Sequence, residues 1–483
     1  YEEAEQQLLR LATTTTNDER SVDAYRRLAV LYETALEHPT RAETAYREIL
    51  RRRPADSAGD ALVQLYLRQG TPKVAVELLL KLVEHSKDGP LERDRTLELA
   101  RIYDAELNER RRAEEVLEKA RRRWTNDSAV LSAMAGFYQR GKDHSALTAL
   151  LDRGIGDARR ALGSGRFDAN FFEIIATVGK LRDNADLAHV ASATLASIAG
   201  KQVNLTGLGL GALDAQYSDL LAPETLSLPL RALLLRTGAA LCAVAPIDLR
   251  SLRAVPLSKT QTDLAQRIAE LGACFGLGEI HMYVSPALGA VCQPVEQRPP
   301  TLVMGSSFVA IDDPQIKDAL LIRALRILSA NAAALANSSP VDLWPLLGAH
   351  LATLLPDYTP VGVEPKRLSQ LRSLIQGALP KVLDRDVPML AADVAATIGN
   401  RASQLGLMVQ EWGSRTALLA LGDPTIVFLA IATAYGQLDK FTGTNEERLK
   451  WLVRNPEARD IAVFSVTDNY LECRATPTLL KTP

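Results

Sequence analysis

The chain has 483 residues, 47% of them hydrophobic and 24% charged, which is enough for about two to four domains with a large core that needs no disulfide or metal staples. A formal net charge of -2 gives no global reason for nucleic acid or an anionic membrane as partner. Charge is uneven along the chain: the first ~160 residues are dense in Arg and Glu, and the stretch from about 200 to 440 is rich in Leu and Ala.

The first third carries an internal repeat. Tyr32, Tyr66, Tyr103 and Tyr138 recur at spacings of 34, 37 and 35 residues. Three residues before each Tyr stands Ala29, Val63, Ala100 or Ala135, and one residue earlier Leu28, Leu62, Leu99 or Met134. After a short polar break comes Ala42, Ala75, Ala113 or Ala146, then four residues later Tyr46, Leu79, Leu117 or Leu150. Pro54 closes the first full unit. Small residues at this spacing let two helices of a hairpin cross closely, while the large ones fill the groove toward the next hairpin. One such hairpin cannot bury its apolar face alone, so the units must stack.

This pattern resembles the tetratricopeptide repeat (TPR), although the family's first signature Trp is absent and Tyr25 and Leu131 stand near its slot. The alternative is a generic helical bundle. Ala4 and Leu8 look like the second helix of a preceding unit, and Phe167–Gly200 reads as a more divergent hairpin, so the repeat region is expected over residues 1–200. The resemblance implies an α-solenoid whose concave groove takes a protein or peptide partner. Arg110, Arg111 and Arg112 are the candidate partner-binding residues in this region, set against a structural reading as a solvated helix face interleaved with Glu. Arg51–Arg53 and Arg121–Arg123 are similar triplets.

Residues 201–245 are expected to be a connecting helical segment. Gly207, Gly209 and Gly211 in TGLGLGA superficially match a dinucleotide loop, but no strand precedes them and a plain loop is expected. From residue 246 to 440 the order of elements is informative. A helix is expected over Thr260–Phe275, then strands at Ile280–Val284, Ala290–Val295 and Thr301–Val309, with a turn at Gln297–Pro300. Asp312-Asp313-Pro314 is a helix start, with Asp as N-cap and Pro at the first helical position, and a long apolar helix follows to about Leu335. The tail, residues 441–483, is expected to place a short helix containing Trp451 and then, after a break at Pro456, the segment Ile461–Glu472, whose residues suit strand or helix and which is read as a helix packing on this domain, with the final dozen residues disordered.

This order resembles the core of M48-type zinc metallopeptidases, with residues 300–308 as the strand before the active helix and Gln315–Ile327 as that helix. An HExxH motif holds one zinc between two His four residues apart and uses its Glu as general base. The matching positions here are Ile322, Arg323 and Arg326, and the family's third ligand falls on Gln410, with Ser414 four residues on. Ile and Arg cannot ligate zinc. The resemblance therefore implies a pseudopeptidase: a mainly α chain, a solenoid followed by an α-rich α+β domain with a small sheet, with no catalytic residues, metal ligands or cofactor. Arg323 and Arg326 remain candidate binding residues, either paired to a buried acid such as Asp318 or Glu411 or holding a small anion.

None of the six His lies at metal-pair spacing from another, no GxSxG or Walker pattern occurs, and Asp312/Asp313 reads as capping before acid–base chemistry. Cys242, Cys274, Cys292 and Cys473 form no CxxC pair and read as buried free thiols. The most apolar stretches are too short or too charged to span a membrane. The chain opens at Tyr1 in mid-repeat, so a piece of a larger bacterial protein is expected, cytoplasmic or periplasmic. The expected function is a non-catalytic interaction scaffold; the alternatives are a peptidase or hydrolase with an unrecognised site and an anion-binding regulatory module.

Overall fold

The computed structural model describes every residue except 87–88, 202–208, 210–217, 245, 298 and 476–483. The architecture is mainly α with one small four-stranded mixed sheet. It divides into two compact units, Tyr1–Ala158 and Arg159–Pro483.

Unit 1 is a succession of helices: α1 (Glu2–Thr14), α2 (Asp18–Thr34), α3 (Pro39–Arg52), α4 (Ala58–Arg68), α5 (Pro72–His85), α6 (Pro90–Ala105), α7 (Arg110–Arg123), α8 (Ser128–Arg140) and the start of α9 (His144–Gly163). From α1 to α8 each helix packs on the next, as a general α-solenoid requires. Within each hairpin the turn is built the same way. The carbonyl of the repeated tyrosine accepts the N–H of His38, Thr71, Glu109 or Asp143 at 2.8, 2.9, 2.7 and 3.0 Å. One residue earlier the backbone turns left-handed, at Glu37, Gly70, Asn108 and Lys142. This is a helix C-terminal cap that satisfies an orphan carbonyl and reverses the chain. Ala29, Ala100, Ala42, Ala75 and Ala113 are fully buried where the helices cross, and Tyr32, Tyr66, Leu79 and Leu117 fill the core between them. Tyr138, Ala146 and Leu150 of the fourth unit are only half-buried.

Polar contacts tie successive hairpins at about one repeat length. Arg26 binds Asp56, Arg68 binds Glu33, Arg93 binds Asp127 and Arg140 binds Asp104, at 2.6 to 3.0 Å. Arg95 is the buried member of this series. It donates to both oxygens of Asp60 (2.8 and 2.9 Å), to Ser86 Oγ (2.7 Å) and to the carbonyls of Ala55 and Asp56 (3.2 and 3.1 Å).

Unit 2 opens with the hairpin α10 (Ala169–Leu181) and α11 (Ala185–Ile198). A Cβ on Gly179 would stand 2.6 Å from the backbone nitrogen of Ala188, so these two helices touch backbone to backbone. The sequence groups this hairpin with the repeats up to residue 200. The compact units instead place it in unit 2, where buried hydroxyl pairs hold it: Thr194 Oγ1 to Ser465 Oγ at 2.9 Å and Ser197 Oγ to Thr425 Oγ1 at 2.5 Å.

Next come α12 (Ser218–Leu221), α13 (Leu228–Thr237) and a tighter helical turn at Gly238–Ala243. Gly207 and Gly211 lie outside the described residues; Gly209 has a left-handed backbone and donates its N–H to Ala420 O at 3.0 Å. The sheet has the order β1-β2-β4-β3. Its strands are β1 (Val255–Pro256), β2 (His281–Ser285), β3 (Cys292–Gln297) and β4 (Pro300–Gly305), with α14 (Thr262–Cys274) between the first two. β2 and β4 are parallel, and β3 is an antiparallel edge strand with an irregularity at Pro294/Glu296. β4 stops at Gly305, earlier than the expected Val309, and α15 (Ser306–Val309) follows. A Cβ at Gly305 would meet Gly289 O at 1.6 Å, so only glycine allows this approach.

The apolar helix begins as read. Asp313 caps α16 (Pro314–Ser329) by accepting from Gln315 and Ile316 N–H at 2.8 and 3.3 Å. It ends before Leu335, because Asn331 turns left-handed and its side chain donates to Leu235 O at 2.8 Å. After it come α17 (Ala333–Asn337), α18 (Pro340–Leu354), α19 (Pro365–Ala378), α20 (Val387–Thr397), α21 (Leu405–Leu421), α22 (Pro424–Ala434), α23 (Leu438–Thr442), α24 (Asn445–Arg454), α25 (Pro456–Phe464) and α26 (Asp468–Ala475). The tail is helical as expected, broken after Phe464; its end from residue 476 lies outside the described residues. α16 is central, packed on β3, α14, α17, α21 and α22. Gly413 permits a close approach of α21: a Cβ there would meet Arg323 O at 2.7 Å. Among the described residues no helix is long and apolar enough to cross a membrane.

Candidate functional site

One cleft of unit 2 brings together Arg323 and Gln410, two of the residues that sequence reading singles out. Its volume is about 290 Å³, and it lies between the edge strand β3, helices α16, α17 and α21 and the end of α22. Cys292 and Gln293 form one wall, Arg323 and Ile327 the opposite one, and Gln410 and Tyr435 the far end. Positions four apart on a helix share a face, so Arg323 and Ile327 look into the cleft together. Ile322 is buried in the core and does not line it, nor does Arg326.

At the base of the cleft Arg323 meets Glu457, 134 residues away in sequence. Arg323 Nη2 donates to Glu457 Oε2 at 2.9 Å, and Nε faces Oε1 at 2.7 Å, a charge contact too bent for a hydrogen bond. Glu457 is fully buried. Ser414 Oγ donates to its Oε1 at 2.5 Å. Tyr435 OH stands 3.0 Å from Glu457 Oε2 and 3.1 Å from Gln410 Oε1, so its single proton serves one or the other. Glu457 lies in the first turn of α25, after Pro456, where the helix dipole favours a carboxylate. Burial opposes the charge on Arg323, but the adjacent Glu457 outweighs it and holds the guanidinium protonated above its ordinary range. Burial, reinforced by Glu457, raises the Tyr435 phenol. Burial also pushes the Cys292 thiol up to about 12, which leaves it a poor nucleophile.

Glu457 was not singled out in the sequence, and neither acid suggested as a partner of Arg323 or Arg326 forms an ion pair with either arginine. Asp318 is bound by Arg267 at 2.5 and 3.0 Å. Glu411 is buried, and burial, with the Asp460 carboxylate next, raises its carboxyl well above the ordinary carboxylate range. A signal for Glu457 was present: it shares a helix face with Ala458, Ile461 and Ala462, all buried, and an acid on such a face calls for a cation.

No family model, curated protein or solved structure matches this chain.

The other candidates are placed apart. Arg110 on α7 points inward: its guanidinium lies 4.2 Å from the Phe137 ring centroid, contacts Asp104 at 3.3 Å and donates to Phe137 O at 3.3 Å. Arg112 is engaged by Glu109 at 2.8 Å, and Arg111 projects into solvent beside Glu115 at 3.4 Å. The triplet is therefore laced with acids, and Arg111 is its most exposed member. A separate groove in unit 1, about 300 Å³, runs between α6 and α8 and is lined by Leu97, Glu98, Arg101, Ala133, Gly136 and Arg140. Among the described residues no group of three or more His, Cys, Asp or Glu is placed to hold a metal ion. All four cysteines are free thiols; Cys292 and Cys473 are buried, Cys242 and Cys274 half-buried.

Proposed function

We propose that this chain is a non-catalytic interaction scaffold, with unit 1 a tetratricopeptide-type stack and unit 2 a degenerate M48-like domain that has exchanged hydrolysis for structure. The observation that carries this reading is the Arg323–Glu457 pair. In the cleft beside the edge strand, where such a peptidase would need imidazoles around a cation, the helix offers a guanidinium and an isoleucine. The guanidinium is committed to a carboxylate that Ser414 and Tyr435 also engage. Shifting the helix register to Ile322 and Arg326 supplies no imidazole either.

Unit 1 supports the binding half of the proposal. The groove between α6 and α8 mixes apolar Leu97 and Ala133 with Arg101, Arg140 and Glu98, a surface suited to a partner's peptide or helix. Free thiols suit a reducing compartment such as the cytoplasm. The test is capture from the source organism with the full chain and with a Leu97→Glu, Ala133→Glu variant whose helicity is unchanged. A protein retained by the native chain and lost by the variant supports the reading. Equal retention by both removes the groove from it.

A further inference from the structure

Arg326 differs from the other arginines around α16. Arg267, Arg323 and Arg415 each face a carboxylate, those of Asp318, Glu457 and Asp460. Arg326 is 7% exposed, and no carboxylate pairs with it among the described residues. Its guanidinium lies over the Trp412 ring, 4.6 Å from the centroid, with the Phe275 ring 5.8 Å away. Its Nε has no hydrogen-bond partner, and neither does the indole Nε1 of Trp412, a residue only 4% exposed. A second guanidinium, that of Arg231, lies 5.9 Å from the same indole. Arg231 is bound by Asp219. One indole thus gathers two cations and one carboxylate, a net charge of +1 in a poorly solvated place.

A cation–π contact returns less than burying an unpaired ion costs. Both Arg326 Nε–H and Trp412 Nε1–H are donors, and a donor without an acceptor adds its own desolvation penalty. Burial first, and the like charge of Arg231 second, push the Arg326 guanidinium down to about 10, still charged at neutral pH. The missing element is an acceptor that carries negative charge.

We propose that Arg326 and the Trp412 indole N–H, in the field of Arg231, form a binding site for a small oxyanion, a phosphate or a carboxylate. A guanidinium donates to two oxygens of such a group at once, the indole adds a third donor, and the anion cancels the excess charge. This site is separate from the Arg323–Glu457 cleft and does not depend on the scaffold reading.

Isothermal titration calorimetry of the full chain with sodium phosphate, sulfate and acetate, each against sodium chloride at matched ionic strength, tests it. Saturable heat with phosphate, sulfate or acetate and none with chloride is expected; the strongest of the three decides between a tetrahedral oxyanion and a carboxylate. Arg326→Gln is expected to weaken binding at least about tenfold. Trp412→Phe keeps the stacked ring, removes the N–H and is expected to weaken binding about fivefold, so it decides the matter if Arg326→Gln does not fold. Heat no greater than that of chloride for all three anions, or unchanged affinity in both variants, overturns the proposal.

Discussion

Replacing Glu457 by Gln isolates the pair on which the reading of unit 2 rests. The change keeps the shape of a fully buried side chain and removes its charge, leaving Arg323, whose side chain is 15% exposed, without a counterion. Charges about 4 Å apart at an effective dielectric of about 20 attract by about 4 kcal/mol, and breaking a buried pair on one side costs about 3–5 kcal/mol. Glu457→Gln is therefore expected to destabilise unit 2 by about 4 kcal/mol, and Arg323→Met by a similar amount because Glu457 then keeps only Ser414 and Tyr435 as donors. The double variant buries no unpaired charge, so its cost should fall short of the sum of the singles by about 2–3 kcal/mol. Urea unfolding followed by tryptophan fluorescence reads this out, since Trp344, Trp412 and Trp451 all lie in unit 2. The midpoint should move at constant slope. A Glu457→Gln cost below about 1 kcal/mol, or simple additivity in the double variant, would refute the argument.

Three further outcomes follow from other places in the fold. Arg95→Met leaves Asp60, Ser86 and two carbonyls without their shared donor, and should lower the stability of unit 1 by about 3 kcal/mol in chemical denaturation, whereas Arg111→Met should change it by less than about 0.5 kcal/mol. His350 is fully buried, bonded only through Nε2 to Thr237 at 2.9 Å, and burial pushes it from its ordinary 6.5 down to about 4. The unfolded chain therefore binds the extra proton between these values, so stability should rise by about 3 kcal/mol from pH 4 to pH 6.5 and that slope should flatten in His350→Gln, as measured by urea midpoints across pH. Gly413→Ala drives a Cβ to 2.7 Å from the Arg323 carbonyl and should cost about 2–3 kcal/mol in thermal unfolding, because backbone rather than a flexible side chain must yield.

Local features were the legible part of the sequence. The tyrosine period marks the hairpins because the same residue caps each turn through its carbonyl, and Asp313-Pro314 marks a helix start because capping is a short-range event. Boundaries set by tertiary contacts were less visible. The break at Asn331 depends on the Leu235 carbonyl, and α10–α11 reads like another repeat by periodicity until Ser465 and Thr425 claim its hydroxyls. The cleft shows the same division. Arg323 and Gln410 could be named from their helices, but whether Arg323 or Arg326 faces the cleft depends on helix rotation, and the acid that engages Arg323 lies on a helix more than a hundred residues later. The basic triplet at Arg110 shows the same limit: spacing shows charge, and only packing shows that Arg110 lies against Phe137 and Asp104.

The most direct test of the central claim is zinc content and casein cleavage, measured together on the full chain after equilibration with zinc and removal of loosely held metal. The account predicts substoichiometric zinc and no cleavage, with or without chelator. Stoichiometric zinc together with cleavage that a chelator stops would contradict it.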